Sequence, residues 1–131
     1  MQNIALDTNA YTGLGRGSVE IKNLLTNTLS IGIPSMVMGE IYFGIYSGNN
    51  SQKNSLLFEK FMNNDRVKVL NVNEATTRLF GEISAQLRSI GKPIQQNDIW
   101  IAALCKQYNY YLVTNDAGFN NIIGLNVINF N

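Results

Sequence analysis

The sequence has no histidine, one cysteine and two prolines among its 131 residues. The lack of histidine excludes Ser-His-Asp and Cys-His hydrolases, and it excludes metal-free ribonucleases that use paired histidines as acid and base. The single cysteine, Cys105, excludes an intramolecular disulfide and a multi-cysteine zinc site. The N-terminus lacks a basic segment followed by a long apolar one, so we expect no signal peptide, and the apolar runs are too short to span a bilayer. We therefore expect a cytoplasmic protein that does not associate with membranes.

The length and composition predict a single domain over residues 1–131. Hydrophobic residues make up 45% of the chain, which is typical of a globular protein and too high for a disordered one. No repeat, low-complexity tract or proline-rich linker indicates an internal boundary. The net charge of +1 does not by itself indicate a polyanionic partner.

Apolar segments of strand length alternate with segments of helical periodicity along the chain. Strands are predicted at residues 3–6, 29–33, 67–72, 110–114 and 127–130. Helices are predicted near residues 18–26, 35–46, 52–62, 74–90 and 96–108. This alternation predicts an α/β protein in which helices cover both faces of a parallel sheet.

Acidic residues interrupt or adjoin the apolar segments at Asp7, Glu40, Asp98 and Asp116. Acids in apolar surroundings are costly unless they are paired, hydrogen-bonded or neutralised by a metal. Asp7 and Asp116 each come just after a predicted strand, so both fall at the carboxyl edge of a parallel sheet, where such folds bind ligands. Glu40 and Asp98 lie early in helices that begin at the same edge. The topology therefore predicts that these acids converge.

Each acid also has a structural explanation. Asp7 and Asp116 stand where a carboxylate caps a helix or a turn, and Asp98 stands where a carboxylate favours a helix dipole. Glu40 has no lysine or arginine three or four residues away to pair with it. The common position at one sheet edge favours a single metal site over four separate coincidences.

Carboxylates without histidine or cysteine favour hard cations such as Mg²⁺ or Mn²⁺. These ions activate water and stabilise charge in phosphodiester hydrolysis. Polar neighbours are expected to orient the acids or contact a phosphate, with ordinary turn-forming hydrogen bonds as the alternative; they are Thr8, Asn9, Thr114 and Asn115. Candidate basic contacts to nucleic-acid phosphates are Arg16, Lys92 and Lys106.

The segments that carry the acids resemble the PIN-domain family and, within it, the VapC-type toxin ribonucleases of bacterial toxin–antitoxin pairs. LDTNAY, GEIYFGI, NDIWIAALC and LVTNDAGF occur in the order and spacing of that family and cover essentially the whole chain. The chain departs from relatives that carry a basic residue shortly after the central glutamate, where it has Tyr42. It also departs from those that carry a further acid after the last aspartate, where it has Asn120 and Asn121.

The resemblance implies a three-layer α/β/α fold with a central parallel sheet of about five strands and a Mg²⁺- or Mn²⁺-dependent endoribonuclease site. The metal-binding acids would be Asp7, Glu40, Asp98 and Asp116, with Thr8 and Asn9 supporting Asp7. Such proteins are typically homodimers, and known targets in the family are structured RNAs such as transfer or ribosomal RNA. A small VapB-like antitoxin wraps the toxin and blocks its site.

Two other functions stay open at this point. One is a non-catalytic PIN-like module that binds nucleic acid or a protein partner. The other is an aspartyl-phosphate phosphatase or receiver-like domain, which also places an aspartate after the first strand. That chemistry needs a second acid two residues later, where this chain has Asn9, and a lysine late in the sheet, where it has the TND of residues 114–116.

Overall fold

Five parallel strands form one sheet in the order β3-β2-β1-β4-β5 in the computed structural model of the protein, which describes residues 2–131. The strands are β1 (Asn3–Leu6), β2 (Ser30–Pro34), β3 (Val67–Leu70), β4 (Tyr111–Thr114) and β5 (Val127–Asn129). The helices are α1 (Thr8–Gly15), α2 (Val19–Thr26), α3 (Ser35–Ser47), α4 (Ser51–Met62), α5 (Glu74–Ser89) and α6 (Gln96–Tyr108), with a 3-10 helix at Ala117–Asn121. The predicted α/β fold with a five-stranded parallel sheet is confirmed. Among residues 2–131, every helix falls short of the length and apolarity that a bilayer crossing requires.

The helices form two groups on opposite faces of the sheet. Helices α1 to α4 pack against one another, whereas α5 packs mainly against α6. The chain passes from β1 through β2 to β3 in one direction and then returns past β1 to β4 and β5. Because crossovers between parallel strands are right-handed, this reversal moves the second helix group to the other face. The result is a three-layer α/β/α arrangement.

The buried core explains why the central elements are apolar on all sides. Ala5, Leu6, Leu112 and Val113 of the two central strands are fully buried, as expected for strands covered on both faces. Five consecutive residues of α6, from Ile101 to Cys105, are also buried, so α6 is the central helix that its sequence predicts.

The strand order reverses between β1 and β4, and this reversal positions the site. In open α/β sheets, ligands bind outside the carboxyl ends of the strands at such a point. Leu6 and Val113 are paired in the sheet register, so Asp7 and Thr114, one residue further along each strand, lie side by side. The acids at 7 and 116 therefore flank the same crevice.

Helix α1 is the main element that the sequence pattern did not predict. Gly13 and Gly15 lie in or at the end of this helix and lower its intrinsic propensity. Tertiary packing compensates, since Tyr11 makes edge-on ring contacts with Phe58 and Phe61 at centroid distances of 5.3 and 5.2 Å. The predicted strand at 67–72 is also shorter than expected, because β3 ends at Leu70.

Candidate metal centre

Asp7 is a buried carboxylate that both caps α1 and faces the crevice. Its Oδ1 accepts a hydrogen bond of 2.8 Å from the backbone N–H of Ala10, which is the capping role that the sequence left open. Its Oδ2 accepts a hydrogen bond from the Thr114 hydroxyl. Burial raises the pKa of Asp7, the hydrogen bonds from Thr114 and Ala10 lower it, and repulsion from Asp116 and Glu40 raises it further. The net direction is upward.

Thr114 links two of the acids through a single hydroxyl group. The side chain is completely buried at the end of β4. Its Oγ1 donates to Asp7 and accepts a hydrogen bond of 3.0 Å from the backbone N–H of Asp116. Asp116 is exposed, and its Oδ1 caps the 3-10 helix by accepting a bond of 2.8 Å from the N–H of Gly118. Both alternatives for Asp116, a turn role and a place in the acid cluster, therefore apply together.

Glu40 lies on the exposed side of α3, so the expectation of apolar surroundings is wrong for this residue. The helix buries Val37, Ile41 and Ile45 and turns Glu40 toward the crevice. Its Oε1 accepts a hydrogen bond of 3.1 Å from the hydroxyl of Thr8. The helix looks apolar in sequence because its exposed side also carries glycine and aromatic residues, including Phe43 at 75% exposure.

Asp98 is half-buried in the first turn of α6. Burial and then the negative charges of Asp116, Glu40 and Asp7, in that order, raise its pKa to about 6. Helix α6 contacts α3, which carries Glu40, and a Cβ at Gly118 would lie 3.3 Å from Cγ2 of Ile94, just before α6. The start of α6 therefore lies beside the elements that carry Glu40 and Asp116. The structure thus brings the four sequence-predicted acids to one edge of the sheet.

The donor set fits a hard divalent cation once the side chains adjust. The ion pair found in residues 2–131 joins Arg78 to Glu74, so no lysine or arginine neutralises the cluster. Within this described part of the chain, no three acidic or other ligand-type side chains are already gathered closely enough to hold a metal. Glu40 and Asp116 are exposed and can turn inward. An all-oxygen set that leaves room for water suits Mg²⁺ or Mn²⁺.

The polar residues predicted to support the acids all lie at this edge. Thr8 and Thr114 hold Glu40 and Asp7 as described above, and the side-chain amide of Asn9 donates to Asn115 Oδ1 at 3.1 Å. This last bond joins the start of α1 to the segment after β4. These three bonds each join different elements of the fold, so they are not hydrogen bonds within a single turn.

The basic residues predicted as phosphate contacts have different settings. Arg16 is exposed at the end of α1, where it lines two clefts that also contain Thr8 or Asn9. Lys92 is exposed in the connection between α5 and α6. Lys106 has a structural contact instead, because its Nζ donates to the carbonyl of Ile123 at 3.0 Å.

An apolar groove of about 600 Å³ runs from the acid cluster between α1, α3 and α4. Thr8 and Glu40 form part of its wall. Its apolar lining consists of Tyr11, Leu14, Ile41, Ile45, Leu57 and Phe61. Sequence analysis missed this groove because one of its walls is α1. The available signal was weak: a capping aspartate followed by Tyr11 and Leu14 at helical spacing.

Cys105 is fully buried, as its apolar neighbours suggested. Burial, with a smaller contribution from the charge of Asp7, raises the pKa of its thiol above the ordinary value. The thiol therefore stays protonated and acts as a packing group.

Comparison with known proteins identifies the family. The PIN domain family matches residues 4–125. Ribonuclease VapC2 of Haemophilus influenzae is 30% identical over 99 residues, which cover 75% of this chain and 74% of the relative. VapBC2 of Rickettsia felis, solved with a DNA fragment from its promoter, matches with a TM-score of 0.86 and 25% identity over 98% of this chain and 99% of that chain. VapBC-1 of nontypeable Haemophilus influenzae matches with a TM-score of 0.84 and 25% identity over 97% of each chain. The chain therefore belongs to the PIN-domain family and, within it, groups with the VapC proteins.

Proposed function

We propose that the protein is a Mg²⁺- or Mn²⁺-dependent endoribonuclease that acts in the cytoplasm as the toxin of a toxin–antitoxin pair. The observation that carries this proposal is the meeting of Asp7, Glu40, Asp98 and Asp116 at one sheet edge without a cationic partner. The names of the relatives support it, since curated proteins from Haemophilus influenzae and Rickettsia felis are ribonucleases of the VapC type. The RNA substrate, plausibly transfer or ribosomal RNA, is part of the proposal.

The chain's own residues would divide the work of hydrolysis. Asp7, Glu40, Asp98 and Asp116 would hold the cation, while Thr8 and Thr114 fix the orientation of Glu40 and Asp7. When bound, the cation activates water for attack on a phosphodiester and stabilises the negative charge that develops. Burial and then repulsion between the acids raise the pKa of Asp98 and of Asp7, so both acids would gain from cation binding, because a nearby positive charge favours their ionised forms.

The RNA would approach across the mouth of the crevice. A second cleft of about 430 Å³ lies beside it and is lined by Asn9, Arg16, Ser18 and Asn115, among others. Arginine and amide side chains are suited to phosphate and sugar contacts. We assign Arg16 to such a contact, and we assign Lys92, exposed in the connection to α6, to a weaker electrostatic role.

RNA cleavage tests the proposed function directly. The purified protein is expected to cut total cellular RNA at discrete positions with Mg²⁺ or Mn²⁺ and to be inactive in EDTA, because the acid cluster needs a cation. Mapping of the new 5′ ends measures the cleavage. Asp65→Asn is expected to cleave RNA like the unchanged protein, since Asp65 is an exposed acid that precedes β3 at the opposite edge of the sheet. Cleavage that continues in EDTA would contradict the metal requirement, and the absence of any cleavage would favour the non-catalytic module.

The apolar groove is the candidate docking surface for a VapB-like antitoxin. The solved relatives are VapBC complexes from Rickettsia felis and Haemophilus influenzae, so a partner of this type is supported for the present chain. A peptide seated in the groove would end beside Thr8 and Glu40 and would cover the acid cluster. This arrangement would inhibit the enzyme by blocking access to its site.

Leu57→Glu tests the groove as the antitoxin site. Leu57 is 52% exposed and lines the groove, so a buried charge there is expected to weaken binding of the antitoxin by at least about tenfold. Titration with the product of the adjacent reading frame measures the affinity. Leu56→Glu is the control, because Leu56 is 63% exposed and does not line the groove. Unchanged affinity in Leu57→Glu, or an equal loss in both variants, would contradict docking in the groove.

A homodimer completes the proposal. Phe43 and Tyr46 on α3 are 75% and 72% exposed, which is unusual for large aromatic side chains and typical of a buried interface. The mass of the purified protein in solution tests the dimer.

A further inference from the structure

The segment that follows Asp116 is tied to two helices by side chains. The amide of Gln86 in α5 donates from Nε2 to the carbonyl of Asn121 at 3.0 Å and accepts from the N–H of Ile123 at 3.2 Å. The ammonium of Lys106 in α6 donates to the carbonyl of Ile123 at 3.0 Å. Three hydrogen bonds therefore hold the backbone of residues 121–123.

These contacts place the backbone of the segment beside Lys106. Gly124 has a φ of 80°, and a Cβ at that position would lie in van der Waals contact, 3.4 Å from the Cε and Nζ atoms of Lys106. Glycine is favoured there by its positive φ. Gln86 is half-buried, so its amide is engaged with this segment rather than fully solvated.

Apolar anchors alone would not fix the position of the segment. Phe119 and Ile122 are buried and hold it against the core. Apolar burial is non-directional, however, whereas hydrogen bonds require a defined distance and angle. The bonds from Gln86 and Lys106 therefore set where the segment lies along α5 and α6.

The position matters because α6 carries Asp98 in its first turn and Lys106 in its last turn. Asp116 begins the segment that Lys106 and Gln86 hold. We propose that Gln86, assisted by Lys106, is a positioning residue that holds the Asp116 segment in register with α6, so that Asp116 and Asp98 can bind the same divalent cation. This inference rests on the proposed metal-dependent function.

Gln86→Leu tests the inference, because it keeps the bulk of the side chain and removes both hydrogen bonds. Mn²⁺ binding to the EDTA-stripped full-length protein is measured by calorimetry, and amide exchange is measured over residues 117–124. We expect about tenfold weaker Mn²⁺ binding, which corresponds to roughly 1.4 kcal/mol of binding free energy, together with faster exchange of these amides. RNA cleavage at saturating Mn²⁺ is expected to return close to the wild-type rate. Lys106→Arg keeps a donor and is expected to retain most of the affinity, unlike Lys106→Met.

Gln107→Leu is the matched control. Gln107 also bonds two residues, Thr76 and Asn73, but its bonds go to the start of α5 rather than to the Asp116 segment. Gln107→Leu should lower the free energy of unfolding without changing the Mn²⁺ affinity. Wild-type affinity and exchange in Gln86→Leu, or an equal loss in Gln107→Leu, would overturn the positioning role. Failure of the wild-type protein to cleave RNA would instead overturn the proposed function, while the exchange data would still decide whether Gln86 holds the segment.

Discussion

Asp98→Asn is expected to reduce RNA cleavage by about 10²–10³-fold, the effect of removing one preorganised electrostatic group, and at the same time to stabilise the cation-free protein. The activity is lost because an asparagine oxygen is a neutral and weaker ligand for a hard cation. The stability rises because the substitution removes a half-buried charge that Asp116, Glu40 and Asp7 repel.

The raised pKa of Asp98 determines whether the stability of the folded protein rises or falls with pH. The pKa of Asp98 is about 6 in the folded protein and 3.8 is its ordinary value. Between these values the folded state binds more protons than the unfolded state, so stability falls as the pH rises through this window. The full penalty is present at neutral pH and amounts to ~1 kcal/mol after allowance for solvent screening. Asp98→Asn should remove it and flatten the pH profile.

Urea unfolding in EDTA, measured from about pH 3.8 to about pH 7.5, covers this window and measures the effect. Mg²⁺ should then stabilise the wild-type protein and leave the Asp98→Asn variant nearly unchanged. Asp65→Asn serves as the control, since it makes the same chemical change at an exposed position away from the site. A variant that is less stable than wild type at pH 7.5 in EDTA would show that the acids do not repel one another as the structure indicates.

Thr114→Val is expected to reduce cleavage by roughly 10–100-fold, the usual cost of losing a group that orients a metal ligand. The buried Thr114 hydroxyl donates the hydrogen bond that lowers the pKa of Asp7 the most. The same hydroxyl also accepts a hydrogen bond from the N–H of Asp116. Without this hydroxyl, the pKa of Asp7 should rise further. On acidification, the variant should therefore lose activity at a higher pH than the wild-type protein does. Activity measured against pH at a fixed Mg²⁺ concentration reports this shift.

Two further variants separate positioning from stability in this experiment. Thr114→Ser keeps the hydroxyl group and should restore most of the activity. Thr28→Val removes another buried threonine hydroxyl, which bonds the carbonyls of Gln2 and Ser30 at the opposite edge of the sheet. Both Thr→Val variants should lose ~1–3 kcal/mol of unfolding free energy, but Thr28→Val should keep its activity. A similar loss of activity in both would indicate a purely structural role for Thr114.

The sequence predicted the sheet and the neighbourhood of the acids because both depend on local signals. Strand-length apolar segments and the position of Asp7 and Asp116 just after strands are readable from the chain itself. The residue contacts within the site are not local. Thr114 donates to an acid 107 positions away, and Gln86 bonds a segment 35 and 37 positions away. No periodicity encodes such pairs.

Two misjudged features have the same kind of cause. Helix α1 forms despite its glycines because Tyr11 packs on Phe58 and Phe61, which belong to a distant helix. Glu40 is exposed despite its apolar neighbours because the sheet buries only one stripe of α3. In both cases tertiary packing decides what local composition leaves ambiguous.

The bond between Thr114 and Asp7 has a consequence for the order of events during synthesis. Thr114 follows Asp7 by 107 positions, so β1 gains its neighbour β4 only after that length of chain has been added. Until then the nascent chain carries Asp7 without the hydrogen bond from Thr114 that orients it. A metal site built from the proposed acids therefore cannot be complete before β4 has been made.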